Sequence, residues 1–522
     1  MRTRRRPTRA TARLCKREEA VAHIRLENGR KALVLGCGPS GAAAARFLHP
    51  RGWRTAIVDT AANPSGLKLF ESDASKPQFV CSDFNVSLLS DGIDLLVLSP
   101  GLSPEFSKAA AIVTAAREQG AEVVGEIELF ARELKRLEKY RAYKPVVIGI
   151  TGTNGKTTTT VLTSKMAAAS RSTVVAGNIG PSALMELDRH LQDNTLPEVW
   201  VLELSSFQLQ TTTSLNCTAA AFLNLTEDHV DWHGSMAAYE AAKNRIFSEK
   251  TVRVLNRDDA ATLRAFEPAM SVTFGDSAPE KEGEYGIVTE EGVEWLARRP
   301  RPAVSWKTQK QAALFGETPT QELLMPVEAL RIRGRHNAMN ALAALALIDA
   351  VGLPLGPALQ VLKNYEGEAH RVQPVLSVND IEFIDDSKGT NVGAVKAALE
   401  GLGKSGRRVS IILGGDGKGQ DFSPLAQALA EYADYAVLIG RDADKIEAGI
   451  ASSGICLEKA GTDFEAAVQM AFDHAAKGGV VLLSPACASW DMFANYAERS
   501  ARFVAKAKEI AASVSGKSEE VD

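Results

Sequence analysis

The stretch Val146-Val147-Ile148-Gly149-Ile150-Thr151-Gly152-Thr153-Asn154-Gly155-Lys156-Thr157-Thr158 decides how this chain is read. A short, apolar, β-branched run ends in a glycine-rich turn; the turn ends in Lys-Thr, and residues 158–169 read as a helix. A strand, a glycine loop and a helix N-terminus together make a phosphate cradle. The first-turn N–H groups point outward unpaired, and the helix dipole favours an anion there. Gly152 and Gly155 let the backbone wrap a cluster of oxygens with no Cβ in the way. Lys156 is placed to reach the β- and γ-phosphates of a nucleotide, and the Thr157 hydroxyl to ligate Mg²⁺. The general P-loop pattern has Gly where Ile150 stands, so the chain carries the Gly152-x-x-Gly155-Lys156-Thr157 core. The alternative is an ordinary strand–turn–helix connection that contains Gly-Lys-Thr by chance. A strand before and a helix after, both where the chemistry needs them, favour the cradle.

Around this stretch the chain is ordinary globular material: 522 residues, 45% hydrophobic and 24% charged, enough for about three domains. A net charge of −4 implies no broad polyanion-binding surface, so no nucleic-acid partner is expected. No apolar run approaches a membrane span. The six cysteines include no C-x-x-C pair and read as reduced thiols in a cytoplasmic protein. Residues 1–30 form a basic arm, with Arg2, Arg4, Arg5, Arg6, Arg9 and Arg13, and lack the apolar core of a signal peptide. They read as a disordered extension rather than as a nucleic-acid or membrane arm.

The expected fold is α/β with three domains, each a β/α sheet unit. Residues 31–124 alternate strands and helices as a Rossmann-like N-terminal domain, with strands at 31–35, 54–58 and 94–98. Gly36, Gly38 and Gly41 fit the dinucleotide fingerprint, and Asp59 follows about twenty residues on. The physics says only that a diphosphate can sit on that helix N-terminus, and UDP carries one as NAD does. Residues 125–366 form a central P-loop domain. Its strands, at 172–176, 198–202 and 218–223, end at Gly177-Asn178, at Glu203 and at Asp228-His229; helices follow at 235–247 and 335–351. Residues 276–330, charged and without a clear period, are expected to form a small sheet or loops. Residues 367–522 form a Rossmann-like C-terminal domain with strands at 381–384, 409–413, 435–439 and 480–483. The polar clusters follow strand ends, the edge where open parallel sheets bind ligands.

Glu203, at the end of a neighbouring strand, is the natural second Mg²⁺ ligand after Thr157. The plain alternative for Glu203 is a helix-cap partner, and for His229 a hydrogen-bonded loop histidine. Lys243 by its spacing is a solvated lysine three residues from Glu240.

The motifs Gly152-Thr153-Asn154-Gly155-Lys156-Thr157, Glu203-Leu204-Ser205-Ser206-Phe207-Gln208, Asp228-His229, Tyr239-Glu240-Ala241-Ala242-Lys243 and His336-Asn337-Ala338-Met339-Asn340 resemble those of the Mur ligases of peptidoglycan synthesis. The resemblance runs from about residue 31 to 512. The runs from Asp386 to Asn391, Leu413 to Lys418 and Ser484 to Phe493 narrow it to the member whose acceptor is D-glutamate. The resemblance implies an ATP-dependent ligase that activates the carboxylate of UDP-N-acetylmuramoyl-L-alanine as an acyl phosphate. It implies that Gly36, Gly38, Ser40, Gly41, Thr60, Ser99, Gly101 and Asn178 bind the UDP-sugar. ATP falls to Gly152, Thr153, Asn154, Gly155, Lys156, Thr157, Thr158, Asn337, Arg371 and Asp386, and D-glutamate to Thr390, Lys418, Ser489 and Phe493. Two Mg²⁺ ions are implied, held by Thr157, Glu203, His229 and Lys243, the lysine as a carbamate; with Lys156, the last three form the catalytic set. That overrides the plain reading of Lys243. Ala61 stands where the family often has Arg beside the uracil. The enzyme is expected to be cytoplasmic and monomeric.

Two readings from other classes compete. A nicotinamide oxidoreductase rests on Gly36-x-Gly38-x-x-Gly41, which accounts for nothing after residue 125. A P-loop switch module would bind ATP and form no bond. Within the ligases, the enzyme adding a diamino acid carries an Asp-Asn-Pro-Arg motif that is absent here, and folylpolyglutamate synthetases lack the run from Ser484 to Phe493.

Overall fold

The computed structural model describes residues 29–71, 76–301, 321–332, 334–368, 370–403 and 406–519. The basic arm lies outside them but for its last two residues. The chain forms two compact units. One comprises Met1–Val147, Val174–Asn216 and Trp232–Ser248, the other Ile148–Thr173, Cys217–Asp231 and Glu249–Asp522.

The first unit contains a five-stranded parallel sheet of β1 (Lys31–Leu35), β2 (Arg54–Asp59), β3 (Gln78–Cys81), β4 (Leu95–Leu98) and β5 (Glu122–Val124). Their order, β3-β2-β1-β4-β5, reverses direction at β1/β4, the switch point where such sheets take ligands. β3 and β5 are short and escaped the sequence reading. Alternate residues Leu33, Leu35, Ala56, Val58, Leu96 and Leu98 share one buried cluster, the period of two expected of strands covered by helices. The same unit holds β7 (Thr173–Gly177) and its neighbour β8 (Val199–Glu203).

In the second unit, β6 (Val146–Thr151) pairs in parallel with β9 (Ala219–Phe222), and β10 (Val252–Asn256) and β11 (Ser271–Phe274) extend the sheet. The ambiguous segment 276–330, of which 302–320 lie outside the described residues, forms no separate small sheet; its strands extend this one. β12 (Glu284–Glu290) joins β11 in parallel and then folds back antiparallel through β13 (Val293–Arg299) to β14 (Glu322–Pro326). The helix Arg335–Ala350 is apolar on nearly every side and is buried from Ala341 to Ile348, which is why its sequence carries little helical periodicity.

The C-terminal part of this unit is a six-stranded sheet, ordered β15 (Gln373–Val378), β16 (Ile381–Asp385), β20 (Val480–Leu483), β17 (Val409–Gly414), β18 (Ala433–Ile439) and β19 (Cys456–Gly461). All pairings but β15–β16 are parallel. Ile411 and Leu413 pack on one face and Ile412 on the other, so both faces are covered. The turns after β16, β17 and β20 carry the polar clusters, and all leave the same edge because these three strands run parallel.

No helix among the described residues is long and apolar enough to cross a membrane. Among the described residues Cys37, Cys217, Cys456 and Cys487 are free thiols.

Candidate functional site

The P-loop helix starts at Lys156, two residues before the position read from sequence. Gly152 and Gly155 have φ of +155° and +80°, a region that disfavours side chains. A Cβ on Gly155 would lie 2.4 Å from Asn340 Oδ1. Lys156 Nζ donates to the carbonyls of Gly152 and Thr153, both at 2.8 Å, so its ammonium is folded over the cradle. Asn224, which follows β9, braces the loop in both directions. Its Oδ1 accepts from Asn154 N at 2.8 Å, and its Nδ2 donates to Asn154 O at 3.1 Å.

A cleft of about 790 Å³ opens beside this loop, lined by Asn154, Gly155, Thr158, Asn337, Arg371 and Asp386 among others. Six of the ten residues expected to hold ATP thus share one cavity. Arg371 Nη2 donates to Thr157 Oγ1 at 2.8 Å, and Arg371 Nε is buried with no hydrogen-bond partner. The residues on either side of Arg371, His370 and Val372, have φ of +66° and +46°, a strained turn of the kind found where a side chain must be aimed. Burial raises the Asp386 carboxyl to about 7, against the opposing pull of Ser484 and Arg371. Asn340, one helical turn after Asn337, donates to its Oδ1 at 3.2 Å. Asn340, Asn224 and Asn391, whose Nδ2 donates to Asn154 Oδ1 at 3.0 Å, were not singled out from sequence. The i,i+3 spacing of Asn337 and Asn340 on a helix was the one available signal.

The residues expected to hold D-glutamate emerge from three turns. Lys418 follows β17 with φ of +51°, and its Nζ lies 3.2 Å from Asp228 Oδ1. Asp228 also accepts from His229 N at 2.9 Å. Thr390 follows β16 and is partly exposed. Ser489 follows β20, is 2% exposed, and its hydroxyl has no hydrogen-bond partner in the structure, an orphaned polar group of the kind that marks a ligand position. Phe493 is different: its ring packs edge-on against Phe464 in the apolar core, and its N–H donates to Ser489 O at 2.8 Å.

In the first unit, Gly36 has φ of +86°, and a Cβ on Gly41 would lie 1.9 Å from Gly36 O, so both glycines are required for the close turn. Ser99 Oγ donates to Gly36 O at 2.9 Å. Asp59, the acid of the dinucleotide fingerprint, accepts from Cys37 N at 2.6 Å and from Ala61 N at 2.8 Å. Its carboxylate braces the glycine loop. Ser40, Thr60 and Gly101 lie at the partly or fully exposed rim of the same strand edge, and Gly38 is N-cap of the helix Pro39–Leu48.

Glu203, at the end of β8, is 2% exposed. Its Oε1 accepts from Asn178 Nδ2 at 2.6 Å, and its Oε2 is buried without a hydrogen-bond partner. The cap of the following helix is Ser205, paired with Gln208 in a capping box, so Glu203 is not the cap partner the plain reading supposed. Lys243 is 1% exposed, with Nζ over the Tyr239 ring 4.5 Å from its centroid. The solvated lysine of the spacing argument is therefore buried. His233, near it, donates to or accepts from Ser206 Oγ at 3.0 Å, and burial together with the Lys243 charge lowers its imidazole to about 4. Among the described residues no three His, Cys, Asp or Glu side chains cluster as a ready metal cage.

Comparison with known proteins gives the family. Residues 30–125 match the "Mur ligase MurD-like, N-terminal domain", 150–348 the "Mur ligase middle domain", and 370–487 the "Mur ligase, glutamate ligase domain". The chain is 51% identical over 481 residues to a UDP-N-acetylmuramoylalanine–D-glutamate ligase of Ralstonia nicotianae, covering 90% of this chain and 95% of that one. A protein of the same name from Burkholderia vietnamiensis is 48% identical over 491 residues, covering 92% and 97%. Among solved structures, a UDP-N-acetylmuramate–alanine ligase of Thermotoga maritima shares the fold with a TM-score of 0.55 at 20% identity, over 92% of this chain and 99% of that one. Matched by three Mur ligase domain models and by relatives about half identical over nine-tenths of its length, the chain belongs to the Mur ligase family.

Proposed function

We propose that the chain joins D-glutamate to UDP-N-acetylmuramoyl-L-alanine, coupled to cleavage of ATP to ADP and phosphate, in peptidoglycan precursor synthesis. The observation that carries this reading is the cleft that places the P-loop beside Arg371 and Asp386 in one unit, with Lys418 and Ser489 on neighbouring turns. Relatives about half identical over nearly the whole chain carry that activity in their names.

A carboxylate is a poor acyl donor, so it is phosphorylated first. The L-alanyl carboxylate attacks the γ-phosphorus of ATP; the bond to the β-bridging oxygen breaks, giving an acyl phosphate and ADP. Lys156 and Arg371 hold the phosphates and offset the charge that spreads over the transferring group. The neutral amine of D-glutamate then attacks the acyl carbon, and phosphate leaves with the bonding pair. Lys418 takes a D-glutamate carboxylate as a point charge, with the Thr390 and Ser489 hydroxyls as further donors. The glycine loop Gly36–Gly41 and the N-terminus of its helix receive the UDP diphosphate, with Ser40, Thr60, Ser99, Gly101 and Asn178 around the nucleoside and sugar.

Mur ligases use ATP and Mg²⁺. The unpartnered Oε2 of Glu203 fits a cation, and the other ligands of two ions in this reading are Thr157, His229 and Lys243, the last as a carbamate. The metal supplies Lewis-acid neutralisation of the phosphoryl oxygens. Lys243, 1% exposed, would join CO₂ through its amine nitrogen with loss of a proton, which turns a cation into an anionic oxygen ligand.

A phosphate-release screen of D- and L-amino acids with ATP and UDP-N-acetylmuramoyl-L-alanine tests the assignment. Release should require D-glutamate and the UDP-sugar together. Hydrolysis without an acceptor would instead support a switch module, and a nicotinamide absorbance change would support an oxidoreductase.

A further inference from the structure

The helix Tyr496–Glu519 begins directly behind the amino-acid turn, and its first turns carry Arg499, a fully buried side chain. Its partners are main-chain carbonyls. Nη2 donates to Ser387 O at 2.9 Å, and Nη2 and Nη1 donate to Cys487 O at 3.2 and 3.3 Å. Nε is buried with no partner. Burial lowers the guanidinium to about 10, so it is still a cation at neutral pH.

Burying a cation is costly, and here only the nearby Asp385, Asp386 and Asp491 carboxylates offset that cost, none of them bonded to the guanidinium. What an apolar side chain lacks is the planar fork, which can hold two chain segments at a set distance. The two segments here are functional ones. Ser387 follows Asp386 in the turn after β16, on the nucleotide side. Cys487 precedes Ser489 in the turn after β20, on the amino-acid side. β16 and β20 are parallel neighbours, so the turns leave the sheet side by side. At the front they are tied by Ser484 Oγ donating to Asp386 Oδ2 at 2.6 Å and Ala486 N donating to Gly389 O at 2.9 Å. The next residue, Ser500, donates to Asp385 Oδ2 at 2.6 Å, and that oxygen also lies 2.9 Å from His370 Nδ1, beside Arg371.

We propose that Arg499 is a positioning residue that sets the separation of the nucleotide-side turn, 385–391, from the amino-acid-side turn, 484–493, by bridging their main-chain carbonyls. The proposal rests on the ligase reading above. Arg499 touches no reacting atom; it acts through Asp386 on one side and Ser489 on the other.

The test compares the parent enzyme with Arg499→Lys and Arg499→Met by phosphate release, thermal melting and amide hydrogen exchange. Methionine fills the volume without charge, and lysine keeps the charge without the fork. Both variants should melt near the parent, yet KM for ATP and for D-glutamate should each rise roughly ten-fold or more, the scale of a lost charged hydrogen bond. KM for the UDP-sugar, whose expected contacts lie in the other unit, should stay within about two-fold of the parent value, and amides of both turns should exchange faster together. A purely structural role would lower the active fraction and leave the KM values alone. Parental KM values in a folded Arg499→Met enzyme overturn the proposal, as does failure of both variants to fold. If the parent itself releases no phosphate with D-glutamate, the ligase reading is what fails, and coupled exchange of the two turns still decides whether Arg499 ties them.

Discussion

Lys418 Nζ lies 3.2 Å from Asp228 Oδ1, an ion pair in which the carboxylate is almost wholly buried. The two residues stand 190 positions apart, and each follows a strand end of a different sheet in the same unit. Asp228 thus presents to Lys418 the same group that an amino-acid substrate would, a carboxylate held at hydrogen-bond range. A substrate carboxylate that binds Lys418 shares or displaces this partner. Lys418→Ala should therefore raise KM for D-glutamate roughly ten- to hundred-fold, on the scale of a charged hydrogen bond, while KM for ATP changes by no more than about three-fold. Steady-state phosphate release against each substrate measures the split; equal increases would move the amino-acid site away from Lys418.

Lys156 bonds to carbonyls of its own loop, and the helix behind it is anchored by the buried Leu162, Met166 and Ala167, so Lys156→Ala should fold. Its loss in kcat should be on the order of 10²-fold or more, because its charge acts on the transferring phosphoryl group. Circular dichroism and kcat together check this; near-normal turnover would remove Lys156 from the mechanism.

Lys243 is 1% exposed, so its amine is shielded from water. If it works as a carbamate, Lys243→Arg should be inactive, since a guanidinium does not supply the anionic oxygens. Lys243→Ala should recover part of its activity with short carboxylic acids, in a saturable way, because a small carboxylate fills the space and offers the same ligand atoms. A fully active Lys243→Arg enzyme would take Lys243 out of the site.

His233 sits near Lys243 with its imidazole lowered from 6.5 to about 4 by burial and by the lysine charge. Between these values the unfolded chain binds the proton and the folded chain does not. The stability contributed by the neutral imidazole is thus fully present above 6.5 and is lost as pH falls toward 4. The shift corresponds to about 3 kcal/mol over that interval. Urea denaturation at pH 7 and pH 5 should show the loss, and His233→Gln should flatten it. A carbamate on Lys243 replaces the cationic neighbour with an anion, so the imidazole pKa, followed by NMR, should rise when CO₂ is supplied.

Much of the site was legible in the order of residues, and the reason is local. A strand, a glycine turn and a helix start are built from consecutive residues, so residues 146–158 were readable as that unit; the structure starts the helix at Lys156 and braces the turn with Asn224. Strand ends followed by polar clusters were readable for the same reason, since a parallel sheet delivers successive strand ends to one edge. Short edge strands such as Gln78–Cys81 and Glu122–Val124 were not, because a few residues carry too little periodicity to stand out. Charge balance, the two glycine loops and the runs that mark the family were likewise properties of the sequence by itself. The tertiary structure decided what depends on distance across the chain. Spacing makes Lys243 a surface lysine, and packing buries it. The dinucleotide pattern marks Asp59 as the acid about twenty residues after the glycines, and the fold turns its carboxylate on the N–H groups of Cys37 and Ala61. Nothing in the neighbourhood of Arg499 announces that its side chain reaches back 112 residues to Ser387, because burial and partnership are set by which strands lie side by side, and that is fixed only when the core closes.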